Sequence, residues 1–302
     1  MKIKVGSRKS RLALWQTRRI AALLQDAHED VSVDIVTMDT LGDKILDKAL
    51  PEIGGKGLFT QELEAALLTD AIDLAVHSLK DLPTDLPDGL KYAGSPERGN
   101  PTDALISHKW DSLEAFPDDA TIATGSRRRR AELLAQHPKM EFRDLRGNIG
   151  TRLQKLEDNG WDGIVMATVA LERLQMQHVA TIELDPSIYV PAVSQGALGI
   201  ETREGRDDID DILAPILHHE TVDAVTAERI FLNRLEGGCS VPLGAYCRPV
   251  DDGWEFRGWV GSLDGSEVLH EVARGSDPNE LAHDMVADFI DRGAREILDN
   301  VR

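Results

Sequence analysis

The chain has 302 residues, 41% of them hydrophobic, and a formal net charge of −19. That length suits two or three domains of ordinary size; without an apolar run of about 18 residues or a charged-then-apolar leader, neither a membrane span nor export is expected. Two cysteines outside any zinc-like Cys/His spacing point to a reducing cytoplasm, and the acidic balance disfavours nucleic acid and anionic membranes unless the cations are gathered in one place.

The first two thirds alternate between strand and helix patterns. Periodicity predicts a strand over 2–5, a helix over 12–24, a strand over 31–38, a helix over 61–68 and a buried strand over 72–76. The long segment from Asp39 to Phe59 ends in Gly54-Gly55-Lys56-Gly57-Leu58-Phe59, which reads as a functional flap over a site. After the Gly99-Asn100-Pro101 break the alternation restarts: strands over 121–123, 141–145 and 163–167, helices over 128–136, 151–156 and 169–174. Residues 188–200 then lead back towards the first unit.

From about Glu220 the order changes to a helix over 222–235, strands over 243–248, 254–260 and 267–273, and a last helix over 281–292, a separate α+β pattern with an antiparallel sheet. Leu235-Glu236-Gly237-Gly238-Cys239-Ser240 places a thiol on a flexible turn between helix and strand, where it would project for chemistry. The strand that follows would carry Cys247 away from Cys239, out of disulfide reach, and Cys247 reads as a packing residue.

Arginine outnumbers lysine by 23 to 11, and the acidic excess with scarce lysine suits a salt-rich cytoplasm. The residues just after each predicted strand are those placed to bind a ligand. They are Ser7-Arg8-Lys9-Ser10, His77-Ser78-Leu79-Lys80-Asp81, Thr124-Gly125-Ser126 with Arg127 to Arg130, Arg146-Gly147-Asn148 with Arg152, and Arg173. Hydroxyls and free N–H groups at a helix start, beside planar guanidinium forks, predict a polyanionic ligand. Asp81 is the conspicuous acid: either it holds a cation that develops during reaction, or it neutralises Lys80 or caps a turn.

Six strings match a family in its own order across nearly the whole chain: Leu12-Ala13-Leu14-Trp15-Gln16, Gly54 to Phe59, Val76-His77-Ser78-Leu79-Lys80-Asp81-Leu82-Pro83, Leu145-Arg146-Gly147-Asn148-Ile149-Gly150-Thr151-Arg152-Leu153, Pro191-Ala192-Val193-Ser194-Gln195-Gly196 and Glu236-Gly237-Gly238-Cys239. They resemble porphobilinogen deaminases, also called hydroxymethylbilane synthases. The resemblance implies an α/β fold of two periplasmic-binding-protein-like domains plus a C-terminal α+β domain with an antiparallel sheet. The implied division is 1–98 with 197–216, then 99–196, then 217–302, with hinges near Gly99 and Ala197.

By the same resemblance, Cys239 holds a dipyrromethane cofactor through a thioether, and four porphobilinogen units are added head to tail with loss of ammonia. Water then releases hydroxymethylbilane, a precursor in haem biosynthesis. Asp81 is the implied catalytic residue, stabilising the cationic pyrrole nitrogens. Lys80, Thr124, Ser126, Arg128, Arg129 and Arg146 would bind the cofactor, and Arg8, Ser10, Lys56, Phe59, Ser78, Arg152, Arg173 and Gln195 the substrate. A monomer without nucleic-acid or membrane partners is expected.

Three positions depart from the family pattern: Arg127 where an apolar residue is usual, Ser194 where glycine is common, and Arg11 where many members have proline. Arg127 is expected to point into solvent. A solute-binding receptor would leave the Gly-Gly-Cys turn and Asp81 without a purpose. Nucleic-acid binding through Arg127 to Arg130 lacks interleaved aromatics.

Overall fold

The computed structural model describes residues 1–44, 57–176, 179, 181–235 and 241–301. They gather into two units, Met1–Gly99 with Gln195–Val222 and Asn100–Ser194 with Asp223–Arg302.

The first unit is built on a five-stranded sheet of order β2-β1-β3-β10-β4, where β1 is Lys2–Arg8, β2 Ser32–Met38, β3 Leu74–Ser78, β4 Leu90–Gly94 and β10 Leu198–Arg203. Strand β1 runs parallel to β2 and β3, while β10 is antiparallel to β3 and β4. Helix α1 (Arg11–Ala27) buries Ala13, Gln16, Thr17, Ile20, Ala21 and Leu24, a three-to-four spacing that gives one apolar stripe. Ile20 and Leu24 pack with Ile3, Val5, Leu74, Val76 and Ile200. After the short α2 (Leu41–Lys44), helix α3 (Gln61–Leu68) sets Leu63, Ala66 and Leu67 against Ile72 and Ala75. Helix α7 (Asp207–Leu213) adds Ile209 and Leu213 to the α1 side.

Two strands end later than expected, and both shifts matter for the site. β1 runs on to Arg8 because Ser7 and Arg8 pair with Thr37 and Met38. β3 ends at Ser78 because Ser78 and His77 pair with Leu198 and Gly199. A 3-10 turn over Leu79–Asp81 follows, so Ser78 and Asp81 leave the sheet at one edge.

The second unit repeats the strand order as β7-β6-β8-β5-β9. Here β5 is Asp103–Ile106, β6 Thr121–Ala123, β7 Glu141–Arg143, β8 Gly163–Ala167 and β9 Thr181–Leu184, with α4 (Arg127–Gln136), α5 (Ile149–Asp158) and α6 (Thr168–Arg173) between them. β6 is parallel to β7 and β8, and β5 antiparallel to β8 and β9.

The same unit holds a three-stranded antiparallel sheet of β11 (Leu243–Val250), β12 (Gly253–Gly261) and β13 (Val268–Gly275), with helices α8 (His219–Arg234), α9 (Pro278–Asp291) and α10 (Ala294–Asp299). This is the expected mixed α/β architecture with a C-terminal antiparallel sheet. Phe231 meets Phe256 and Phe289 edge-on at 5.7 and 5.3 Å, and Cys247 is buried in the same core at 1% exposure, the packing place expected of it. Glu255 of β12 is fully buried, bonded by Arg248, Arg257 and Arg274.

Arg127 does not point into solvent as expected. It is half-buried and its Nη1 donates to the Val301 carbonyl at 2.9 Å, because the chain's last described turn supplies an unused acceptor. Among the described residues no helix is long and apolar enough to cross a membrane.

Candidate functional site

In the first unit the strand ends open into a pocket lined by Arg8, Ser10, His77, Ser78 and Asp81 of the expected strand-end strings, by Phe59, which the family resemblance implies, and by Gln16, to which no ligand role was given. Arg8 is the last residue of β1, and its guanidinium carbon lies 4.2 Å from the centre of the Phe59 ring, a cation–π distance. The Ser10 hydroxyl caps α1 by accepting from the Ala13 N–H at 3.2 Å, so the residue that starts the helix also faces the pocket. Gln16, one turn and a half further on, donates from Nε2 to the Ser78 hydroxyl at 2.8 Å and holds the end of β3 to α1.

Asp81 is exposed, and among the described residues nothing hydrogen-bonds or ion-pairs with its carboxylate. Its neighbour Lys80 donates from Nζ to Gln195 Oε1 at 3.0 Å, while Arg98 Nε holds the Gln195 carbonyl at 2.8 Å. Lys80 is therefore drawn to Gln195 and not neutralised by Asp81. Behind the pocket His77 Nε2 meets Glu201 Oε2 at 2.9 Å, both side chains almost wholly buried. Nearby, burial pushes the Glu64 carboxyl up against the opposing bond from Thr60.

In the second unit the predicted residues cluster at the ends of β6, β7 and β8. Thr124 follows β6, and its hydroxyl accepts from the Ser126 N–H at 3.2 Å; Ser126 in turn caps α4 through Arg129 N at 3.4 Å. Arg152 Nε bonds the Gly147 carbonyl at 2.7 Å, and Lys155 Nζ the Arg146 carbonyl at 3.1 Å. Arg173, at the end of α6, is 8% exposed, and burial pushes its guanidinium down to about 10.

Arg128 and Arg129 are buried at 3% and 8% and turn onto Asp103 of β5. Arg128 Nη2 reaches Asp103 Oδ2 at 2.6 Å, and Arg129 Nη2 reaches Oδ1 at 2.6 Å. Burial alone would raise the Asp103 carboxyl, but the two guanidiniums outweigh it and hold the group well below the usual carboxylate range. Sequence reading did not find Asp103, although an acid opening an apolar Asp-Ala-Leu-Ile run, in a chain that also carries four consecutive arginines, was a signal for a buried counter-ion. Lys56 and Cys239 lie outside the described residues. Among the described residues no cluster of His, Cys, Asp and Glu is arranged to hold a metal ion.

These strand ends belong to a mixed α/β protein and carry hydroxyls, guanidiniums and, among the described residues, the unpartnered carboxylate of Asp81. Residues 3–211 match the family described as porphobilinogen deaminase, dipyromethane cofactor binding domain, and residues 222–290 match the porphobilinogen deaminase C-terminal domain. A porphobilinogen deaminase of Moorella thermoacetica is 46% identical over 304 aligned positions, covering 100% of this chain and 97% of that one. Among solved structures, the periplasmic VFT2 domain of Bordetella pertussis BvgS aligns with TM-score 0.43 and 17% identity over 76% of this chain and 92% of that one. A nutrient binding protein from Burkholderia cenocepacia bound to methionine aligns with TM-score 0.41 and 16% identity over 70% and 90%. The chain belongs to the porphobilinogen deaminase family, a family of transferases.

Proposed function

We propose that this chain joins four porphobilinogen molecules head to tail on a dipyrromethane carried by Cys239 and releases the product, hydroxymethylbilane, by hydrolysis. The observation that carries this reading is the match along the full chain to a porphobilinogen deaminase at 46% identity. The donor set supports it: an acetate and a propionate on every pyrrole call for paired cations and hydroxyls, and these line both sets of strand ends. When bound, the dipyrromethane supplies a pyrrole carbon nucleophilic enough to take the next unit.

The residues of the chain divide the remaining work. Arg8, Ser10 and Ser78 hold substrate carboxylates in the first pocket, and Gln195, Phe59 and Lys56 are further substrate-binding residues. Arg152 and Arg173 also bind substrate, and Lys80, Thr124, Ser126, Arg128, Arg129 and Arg146 bind the cofactor's carboxylates. Each addition breaks the bond from the aminomethyl carbon to nitrogen, releasing ammonia, and forms a carbon–carbon bond with loss of one ring proton. Positive charge develops on the pyrrole between these events, and the Asp81 carboxylate, without a competing partner among the described residues, is the group that stabilises it. The antiparallel sheet with its helices, 217–302, acts as a third domain carrying the cysteine. The enzyme works as a cytoplasmic monomer.

The test is ammonia release from porphobilinogen by the purified protein, with hydroxymethylbilane as the product. Binding without ammonia release would leave a receptor in place of an enzyme.

A further inference from the structure

The arginine pair at the head of α4 is held by two acids, and the second has no part in the chemistry above. Glu132 lies one turn after Arg128 and is buried at 2% exposure. Its Oε2 accepts from Arg128 Nη1 at 2.6 Å, whereas Oε1 is buried with no hydrogen-bond partner among the described residues. Arg128 also donates Nη1 to the Val190 carbonyl at 2.7 Å and Nη2 to Asp103 at 2.6 Å. Asp103 in turn receives Nε and Nη2 of Arg129 at 3.0 and 2.6 Å.

The charge of this group depends on Glu132. Asp103 stays ionised between its two arginines, so the two cations exceed it by one unless Glu132 is also ionised. The groups acting on Glu132 are Arg128 and Arg129 on its own helix, Asp103 from β5 and Tyr189 from the segment after β9. Burial pushes the Tyr189 hydroxyl up to about 12, so it stays neutral. Burial likewise pushes Glu132 up to about 8, with Arg128 opposing and Asp103 adding to the rise. A carboxylate with one bare oxygen in a dry site is a more costly species than the neutral acid.

We propose that Glu132 is a positioning residue for carboxylate recognition at the head of α4. As a neutral acid it steadies Arg128 and leaves the group one positive charge for an incoming pyrrole carboxylate; as a carboxylate it cancels that charge. The inference rests on the reading that this surface takes pyrrole carboxylates. Linkage makes the effect reciprocal: a bound carboxylate favours the protonated form of Glu132.

The test compares the full-length protein with its Glu132→Gln variant, because glutamine keeps the shape of the neutral acid and has no proton to lose. The KM for porphobilinogen in the wild-type protein rises roughly tenfold between about pH 7 and pH 9, while in the variant it stays within about twofold. An infrared band from a protonated carboxyl, present at neutral pH in the wild type and missing from the variant, reports the same proton without turnover. An equal rise in both proteins, or no such band, overturns the proposal. Should the variant fail to fold, a flat wild-type KM profile overturns it alone. A wild-type protein that never consumes porphobilinogen overturns the underlying function and the carboxylate role with it, whereas an active protein whose KM profile ignores Glu132→Gln overturns only the role of Glu132.

Discussion

The two α/β sheets share a strand order and treat their acids in opposite ways. Each has three parallel strands followed by one that is antiparallel to both its neighbours. In the first, Asp81 stands just past β3, exposed and unpartnered among the described residues. In the second, Asp103 opens β5 at 1% exposure with two guanidiniums bound to it. An acid among cations is free for a reaction where the fold keeps it in contact with solvent and ligand. Where the fold buries it, the same acid is a counter-ion.

The sharpest way to break this contrast is to remove each acid in turn. Asp103→Ala removes the carboxylate that Arg128 and Arg129 share in the interior, leaving Arg128 only Glu132 as an acid, and should cost about 3–5 kcal/mol of stability, read from the denaturant midpoint. Asp81→Asn should lower kcat by about 10²–10³-fold, the scale of losing one stabilising group for developing charge, and leave the midpoint within about 0.5 kcal/mol. If the Asp81 variant unfolds as readily as the Asp103 variant, the contrast fails.

Acid acts on the buried carboxylates through their arginines. The carboxyls of Asp103 and Glu255 are both tugged upward by burial, yet their arginines hold Asp103 well below the usual range and Glu255 down to about 2. A folded pKa below the unfolded one contributes stability that is complete above the ordinary carboxylate value and is lost as pH falls through the folded value. The midpoint should therefore fall steadily as pH drops from about 4 towards 2. Glu132 has the opposite sign: its raised carboxyl contributes stability at low pH that is lost as pH climbs towards about 8. A midpoint indifferent to acid would show that neither arginine cluster holds its carboxylate as described.

The smallest effect concerns the return crossing between the units. Ser194 sits in the left-handed region at φ 61, fully buried, and its N–H donates to Glu228 Oε2 at 2.6 Å. Its hydroxyl oxygen has no hydrogen-bond partner among the described residues. Ser194→Gly relieves both penalties at the expense of a more flexible unfolded chain, for a net gain of about 0.5 kcal/mol. A loss of stability on thermal unfolding would mean that the serine side chain makes a contribution of its own.

Much of this was legible in the sequence, and the gaps have physical causes. Long periodic elements such as α1 and the three C-terminal strands were readable because a buried face imposes its own spacing. Strands β4, β5, β9 and β10 were missed, although β6 and β7, of three residues each, were expected: the four pair antiparallel and so lie outside the alternation of strand and helix that marks parallel units. Strand ends gave Arg8, Ser78 and Asp81 because ligand sites follow strand termini whatever the ligand. Gln16, Asp103 and Glu132 escaped because their partners, Ser78 and Arg128, are brought to them by folding over separations that neither helical nor strand periodicity records, or, for Glu132, by burial that sequence does not display. Arg127 was misjudged for the same reason, its partner lying 174 residues away.

The proposed function stands on a covalent primer at Cys239 from which the chain grows. The most direct measurement is the intact mass of the purified protein beside its Cys239→Ser variant, before and after brief exposure to porphobilinogen. The parent should carry an excess of one dipyrromethane, the variant none, and the parent should gain further single-pyrrole increments after exposure. A parent protein at its bare polypeptide mass that stays unchanged with porphobilinogen, and after incubation with hydroxymethylbilane, would contradict it.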